Sequence, residues 1–132
     1  MSPSEARRLP GALELAFLGD AVYELAAREL ASRGGGRIKS LHERTVKLVC
    51  AKAQSEAYGR IEPILDEEEL AIARRARNTK QTTPKHADPA DYRRSTALEA
   101  VIGHLYRNGN ERRLKALLAC ALETDQGVDD AE

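Results

Sequence analysis

Apolar residues in this chain recur at the three- and four-residue spacing of helices, and no stretch alternates long enough to make a strand. The first run extends from about Gly11 to Arg33 and stops at Gly34-Gly35-Gly36, a cluster that tolerates left-handed backbone and so ends helices. Ser40 followed by Glu43 reads as a capping box, which predicts a second helix over about Leu41 to Tyr58. Asp66-Glu67-Glu68-Glu69 then places acids where a helix dipole favours them, and Arg74, Arg75 and Arg77 suit the opposite end. A polar loop follows from Asn78 to Ala87. Asp88 and Pro89 fit an N-cap and a first helical position, and that helix is predicted to reach Arg107. Asn108-Gly109-Asn110 is a turn, and a last helix covers about Glu111 to Glu123. The fold class is therefore all-α, with about five main helices in one domain over residues 10–123. Residues 1–9 form an N-terminal segment. The tail 124–132 is acidic and poor in apolar residues, so disorder is expected there.

The first helix is apolar almost all round. On a wheel of about 100° per residue, Leu15, Leu18, Val22 and Ala26 form the expected core stripe. Phe17 and Ala21 lie on a second face, which suggests a central helix or one with a second partner. Asp20 falls about 140° from Leu15, among Leu13, Ala16 and Ala27. An acid there is a metal ligand, or else a surface aspartate facing a solvent gap. Glu99 interrupts the apolar run Ala97 to Gly103 and shares a face with Tyr92, Ser95, Thr96, Ile102 and Tyr106. Gly19 and Gly103 each sit mid-helix near one of these acids, at about 1 kcal/mol against alanine. Close helix approach would explain both glycines and would bring Asp20 to Glu99. Facing carboxylates repel unless one is protonated or a cation intervenes. A hard divalent cation, Mg²⁺ with Mn²⁺ as substitute, suits oxygen ligands. The simpler alternative for Glu99 is a polar contact with Arg or Tyr.

Net charge changes the picture only once it is located. The whole chain of 132 residues balances 21 basic against 21 acidic side chains. Five of the acids lie in residues 123–132, so residues 1–122 carry 21 bases against 16 acids, or +5. Between Leu70 and His86 stand five bases (Arg74, Arg75, Arg77, Lys80, Lys85) and no acid. Asn78, Thr79, Gln81, Thr82 and Thr83 are interleaved, and Arg93 and Arg94 follow. Such donors suit phosphate and sugar oxygens. One Phe, four Tyr and no Trp are too few for a single-strand stacking platform, so a duplex read by shape fits better. Cys50 and Cys120, both in expected apolar helical contexts, suggest neither a disulfide scaffold nor a zinc site. The start lacks the apolar core of a signal peptide, and the longest apolar run, Ala116 to Leu122, is too short to span a membrane. A cytoplasmic protein is expected.

Leu15-Ala16-Phe17-Leu18-Gly19-Asp20-Ala21-Val22-Tyr23-Glu24 resembles the signature helix of the ribonuclease III endonuclease domain. Ser95-Thr96-Ala97-Leu98-Glu99-Ala100-Val101-Ile102-Gly103 resembles that family's second catalytic helix. Arg75 to Lys80, Thr83-Pro84-Lys85 and Tyr92 to Thr96 are similar to the Mini-III ribonuclease subfamily in particular. The resemblance covers residues 10–123. It implies a homodimeric, Mg²⁺-dependent endonuclease cutting double-stranded RNA, with Asp20 and Glu99 as catalytic metal ligands. Arg74, Arg75, Arg77, Asn78, Lys80, Thr83, Lys85, Arg93 and Arg94 would contact RNA. Ribonuclease III proper has further acids at the positions of Leu13, Ala16 and Thr96; Mini-III proteins share this reduced set. No further RNA-binding domain is expected after this one, which is the Mini-III arrangement. Phe17 occupies the position of an aromatic that packs into the other subunit, so a two-fold interface is expected there, against the alternative that it fills its own core. The resemblance further implies a role in maturing large-subunit (23S) ribosomal RNA precursors, products with a 5′-phosphate and a 3′-hydroxyl, and contact with ribosomal proteins. A rival is a non-catalytic RNA- or ribosome-binding module of this fold. A helical His-Asp phosphohydrolase is disfavoured, because His86 and Asp88 are separated by Ala87 and neither His42 nor His104 has an adjacent aspartate.

Overall fold

The computed structural model describes residues 11–124, so segment 1–9 and the acidic tail beyond Thr124 lie outside the described residues. Six α-helices follow one another: α1 (Ala12–Arg33), α2 (Ile38–Val49), α3 (Ala51–Ile61), α4 (Glu67–Asn78), α5 (Pro89–Arg107) and α6 (Glu111–Ala121). A 3₁₀ turn, Glu62–Ile64, joins α3 to α4, and no strand occurs among the described residues.

Several ends form as the sequence dictates. Gly34 closes α1, its N–H donating to the Ala31 carbonyl while the Gly35 N–H donates to that of Ser32. Asp66 and Glu69 make a reciprocal capping box at α4, each side chain taking the other's backbone N–H, at 2.8 and 2.9 Å. Asp88 caps α5 by accepting from the Asp91 N–H, with Pro89 in the first turn. The second predicted helix does not survive as one. It starts three residues early, after Gly36 with φ +105°, so Ser40 and Glu43 lie inside α2 and cap nothing. It then breaks at Cys50, which is extended (φ −64°, ψ 157°) and separates α2 from α3. No Gly or Pro marks that break. It lets α2 lie on α1 while α3 turns to pack on α5 and α6. Cys50 is therefore an exposed junction residue, whereas Cys120 lies within α6.

The central helix is α5, which packs on α1, α3, α4 and α6. Ala97, Leu98, Ala100, Val101 and Ile102 are fully enclosed, together with Leu117 from α6 and Ile61 from α3. On α1 the buried face is Leu15, Ala16, Gly19, Tyr23, Ala27 and Ala31. The expected stripe is thus rotated: Leu15 is buried, but Leu18, Val22 and Ala26 are only half-buried at its edge. The apolar surplus of α1 points outward instead. Phe17 is 84% exposed and Leu25 59%, in line with Leu13 and Ala21 at four-residue intervals.

Candidate active site and RNA-binding surface

Two glycines set the site. A Cβ on Gly19 would strike the Glu99 carbonyl oxygen, and one on Gly103 would strike that of Leu15. Backbone therefore lies on backbone where α1 crosses α5. The side chains flanking that crossing, Asp20 and Glu99, are brought together as the glycine spacing predicts.

Their environments differ from expectation. Asp20 is exposed, so it does not lie enclosed among Leu13, Ala16 and Ala27; Leu13 itself faces solvent. The strain falls on Glu99, which is half-buried. Its carboxyl is pushed up to about 8, first by burial, then by its hydrogen bond to Asp20 and the Asp20 charge. Gln54 on α3, buried, donates to Glu99 and opposes this rise. Tyr23, buried one turn after Asp20, keeps its phenolic proton well above the usual range, chiefly through burial, with the Glu99 charge adding to the effect. Sequence reasoning missed Gln54 and Tyr23. Gln54 carried a faint signal, as a polar residue in register with Ala57 and Tyr58 on the buried face of α3. Tyr23 carried none, because tyrosine in an apolar helix is ordinarily core.

The pair fits a hard divalent cation. Its donors are oxygens only, and a carboxyl raised by its neighbour is a group that added positive charge would restore to its ionised form. The positions of the extra acids in ribonuclease III proper hold Leu13, Ala16 and a buried Thr96. Among the described residues no group of three or more His, Cys, Asp or Glu side chains gathers as a ready-made metal cage. His104 instead pairs with Glu68 at 2.9 Å, and His42 is exposed.

The basic segment approaches the same helix face. Gln81 donates to the Thr96 hydroxyl at 3.1 Å, and the Tyr92 hydroxyl donates to Gln81 at 3.4 Å. Thr96 precedes Glu99 by one helical turn, so the segment between α4 and α5 is tied down beside the carboxylates. The predicted RNA contacts are distributed around it. Arg74, Asn78, Lys80 and Arg93 are exposed, and Thr83 is half-buried. Lys85 lines a groove with Lys52 and His86 beside the α2–α3 junction. Arg75 lines a separate groove with His104 and Arg107. Arg77 pairs with Glu62 at 3.6 Å, and Arg77 and Arg94 both lie against the Tyr58 ring. Lys52 and Arg107 were not singled out from sequence, because folding alone brings them beside these bases.

Comparison with known proteins finds relatives over most of the chain. The family profile described as the ribonuclease III domain matches residues 13–110. A Mini-ribonuclease 3 of Symbiobacterium thermophilum is 43% identical over 113 residues, covering 84% of this chain and 87% of that protein. One from a Thermoanaerobacter species is 45% identical over 113 residues, covering 84% and 80%. An X-ray crystal structure of a Fusobacterium nucleatum protein superposes with a TM-score of 0.81 at 39% identity, covering 88% of this chain and 94% of that one.

Proposed function

Since the chain belongs to the ribonuclease III family, within its Mini-ribonuclease 3 group, we propose that it is a divalent-metal-dependent endoribonuclease that hydrolyses phosphodiester bonds in double-stranded RNA. The observation that carries this reading is the Asp20–Glu99 pair, held by the Gly19–Gly103 crossing beside a basic segment. Residues 10–123 are the catalytic domain, and its cellular substrate is a precursor of large-subunit (23S) ribosomal RNA. The products carry a 5′-phosphate and a 3′-hydroxyl.

Asp20 and Glu99 are the residues that would hold Mg²⁺ or Mn²⁺. Such an ion supplies a water of lowered pKa and offsets charge at the scissile phosphate. The chain's own contribution is placement. Gln54 orients the Glu99 carboxylate through the hydrogen bond it donates. The Tyr23 hydroxyl, buried and within reach of the Glu99 charge, stays protonated. Arg74, Arg75, Lys80, Lys85 and Arg93 bind backbone phosphates, with Asn78 and Thr83 donating to neighbouring oxygens. Two copies packed through Phe17 would present two such sites, one for each strand.

The test is cleavage of labelled duplex and single-stranded RNA of the same sequence, with Mg²⁺ or EDTA. Metal-dependent cutting of the duplex alone is the expected result. Equal cutting of both, or cutting in EDTA, would overturn it. No cutting, with duplex binding retained, would leave a binding module of the same fold.

A further inference from the structure

Arg94 carries a charge that the fold leaves unanswered. It sits half-buried near the start of α5, and no acid lies within ion-pair distance of it among the described residues. Its Nε is buried with no hydrogen-bond partner. Its guanidinium carbon stands 6.0 Å from the centroid of the buried Tyr58 ring, and that of Arg77 stands 5.9 Å from the same ring. Burying a charged donor without a partner costs free energy, and a cation–π contact returns only part of it. A second guanidinium against the same ring adds repulsion. Glu62 offsets Arg77 and also accepts from the Tyr58 hydroxyl, so it is already engaged. Gly59 keeps the space open, since a Cβ there would lie 3.1 Å from Arg94 Nη2.

A fold that holds a guanidinium in place yet gives it no counter-charge has left that role to a ligand. We infer that Tyr58 is a positioning residue that pins Arg94, already among the RNA contacts expected from sequence, so that its guanidinium binds one phosphate of the nucleic-acid backbone. The ligand class follows from the surroundings. Arg93, the preceding residue on the same helix, is an exposed cation, and Gln81, which follows the exposed Lys80, ties the basic segment to that helix at Thr96, two residues beyond Arg94. A guanidinium fork matches paired phosphate oxygens. Arg77, already matched by Glu62, serves to hold the platform. This inference rests on the duplex-RNA reading above and refines it, because it separates one built phosphate site from the exposed bases around it.

The two roles open to Arg94 predict opposite signs. A packing arginine stabilises the fold and is silent towards RNA. An arginine held unpaired for a ligand lowers stability and contributes to binding. Arg94→Met and Arg94→Lys are compared with the unaltered protein by thermal melting without RNA, and by duplex-RNA affinity across a salt series in EDTA. Arg94→Met should melt no lower than wild type while binding roughly tenfold more weakly. Its log–log salt dependence should be shallower by about 0.7–0.9, the signature of one lost phosphate contact. Arg94→Lys should recover most of that slope. An unchanged slope in Arg94→Met, a melting temperature several degrees lower, or no recovery with Lys would overturn the site. Wild type that binds no duplex would overturn the functional reading along with it. Wild type that binds and cuts, beside an Arg94→Met variant of unchanged slope, would overturn this inference alone.

Discussion

Glu69 is a buried carboxylate that forms two hydrogen bonds with Arg113, at 2.7 and 2.9 Å, as well as completing the α4 cap. The Arg113 hydrogen bonds, chiefly, hold its carboxyl below the ordinary glutamate value of 4.5. A depressed folded-state value means that this stability is present above about pH 4.5 and is lost as pH falls through the folded value. Glu69→Gln should therefore lower the melting temperature at pH 7 and flatten its fall below pH 4.5. Removing one partner of such a pair costs about 3 kcal/mol, because Arg113 is left without its counter-ion. Glu99 is the opposite case, a carboxyl that its surroundings disfavour as an anion. Asp20→Asn and Glu99→Gln should each fold, bind duplex RNA and fail to cut it, since a neutral amide is a poor ligand for a hard cation. Neither should melt below wild type in EDTA, and the rise in melting temperature on adding Mg²⁺ should vanish in both. A variant that cuts at near the wild-type rate would remove that residue from the site.

At the scale of elements, the α1–α5 crossing and the α4–α5 segment make separate demands. Gly103→Ala forces a methyl group into the backbone of α1, and helices cannot absorb that by moving a side chain. The expected cost is at least about 3 kcal/mol, read from urea unfolding. Whatever folds should also lose its Mg²⁺-induced thermal shift, because the carboxylates ride on the two helices that part. The exposed bases of the segment act through their charge. Replacing Arg74, Lys80 and Lys85 with Ala should leave the melting temperature within a degree or two, since exposed charges contribute little. Duplex affinity should fall, and each lost contact should flatten the salt dependence by about 0.7–0.9. Adding Arg77→Ala should begin to lower stability, because that side chain joins Glu62 and Tyr58.

At the scale of the whole molecule, the exposed row on α1 asks for a partner. Phe17, at 84% exposure, does not fill its own core, so the monomeric alternative for this ring fails. Leu13, Ala21 and Leu25 extend the row along one helix face. Exposed apolar rows of this kind mark interfaces. Truncating a buried aromatic costs about 3–5 kcal/mol, and a two-fold interface would lose two. Phe17→Ala should sediment as a monomer at micromolar concentration with its melting behaviour no longer concentration-dependent. Its cleavage rate should fall although Asp20 and Glu99 are intact. A variant that keeps the wild-type mass would place the interface elsewhere.

Periodicity, caps and glycines were enough for the all-α class, four of the predicted helices and the meeting of Asp20 with Glu99. These are local signals, or, for Gly19 and Gly103, a contact that only a missing side chain permits. The tertiary structure decided the rest. It broke the second helix at Cys50, where no residue favours a break, because α2 and α3 pack against different helices. It made α5 central in place of α1, since an all-round apolar helix looks the same on a wheel whether its surplus face meets the chain or solvent. Gln54 at Glu99, and Arg94 against Tyr58, were beyond the sequence for the same reason: each joins residues of different helices, and one-dimensional spacing carries no record of which helices cross.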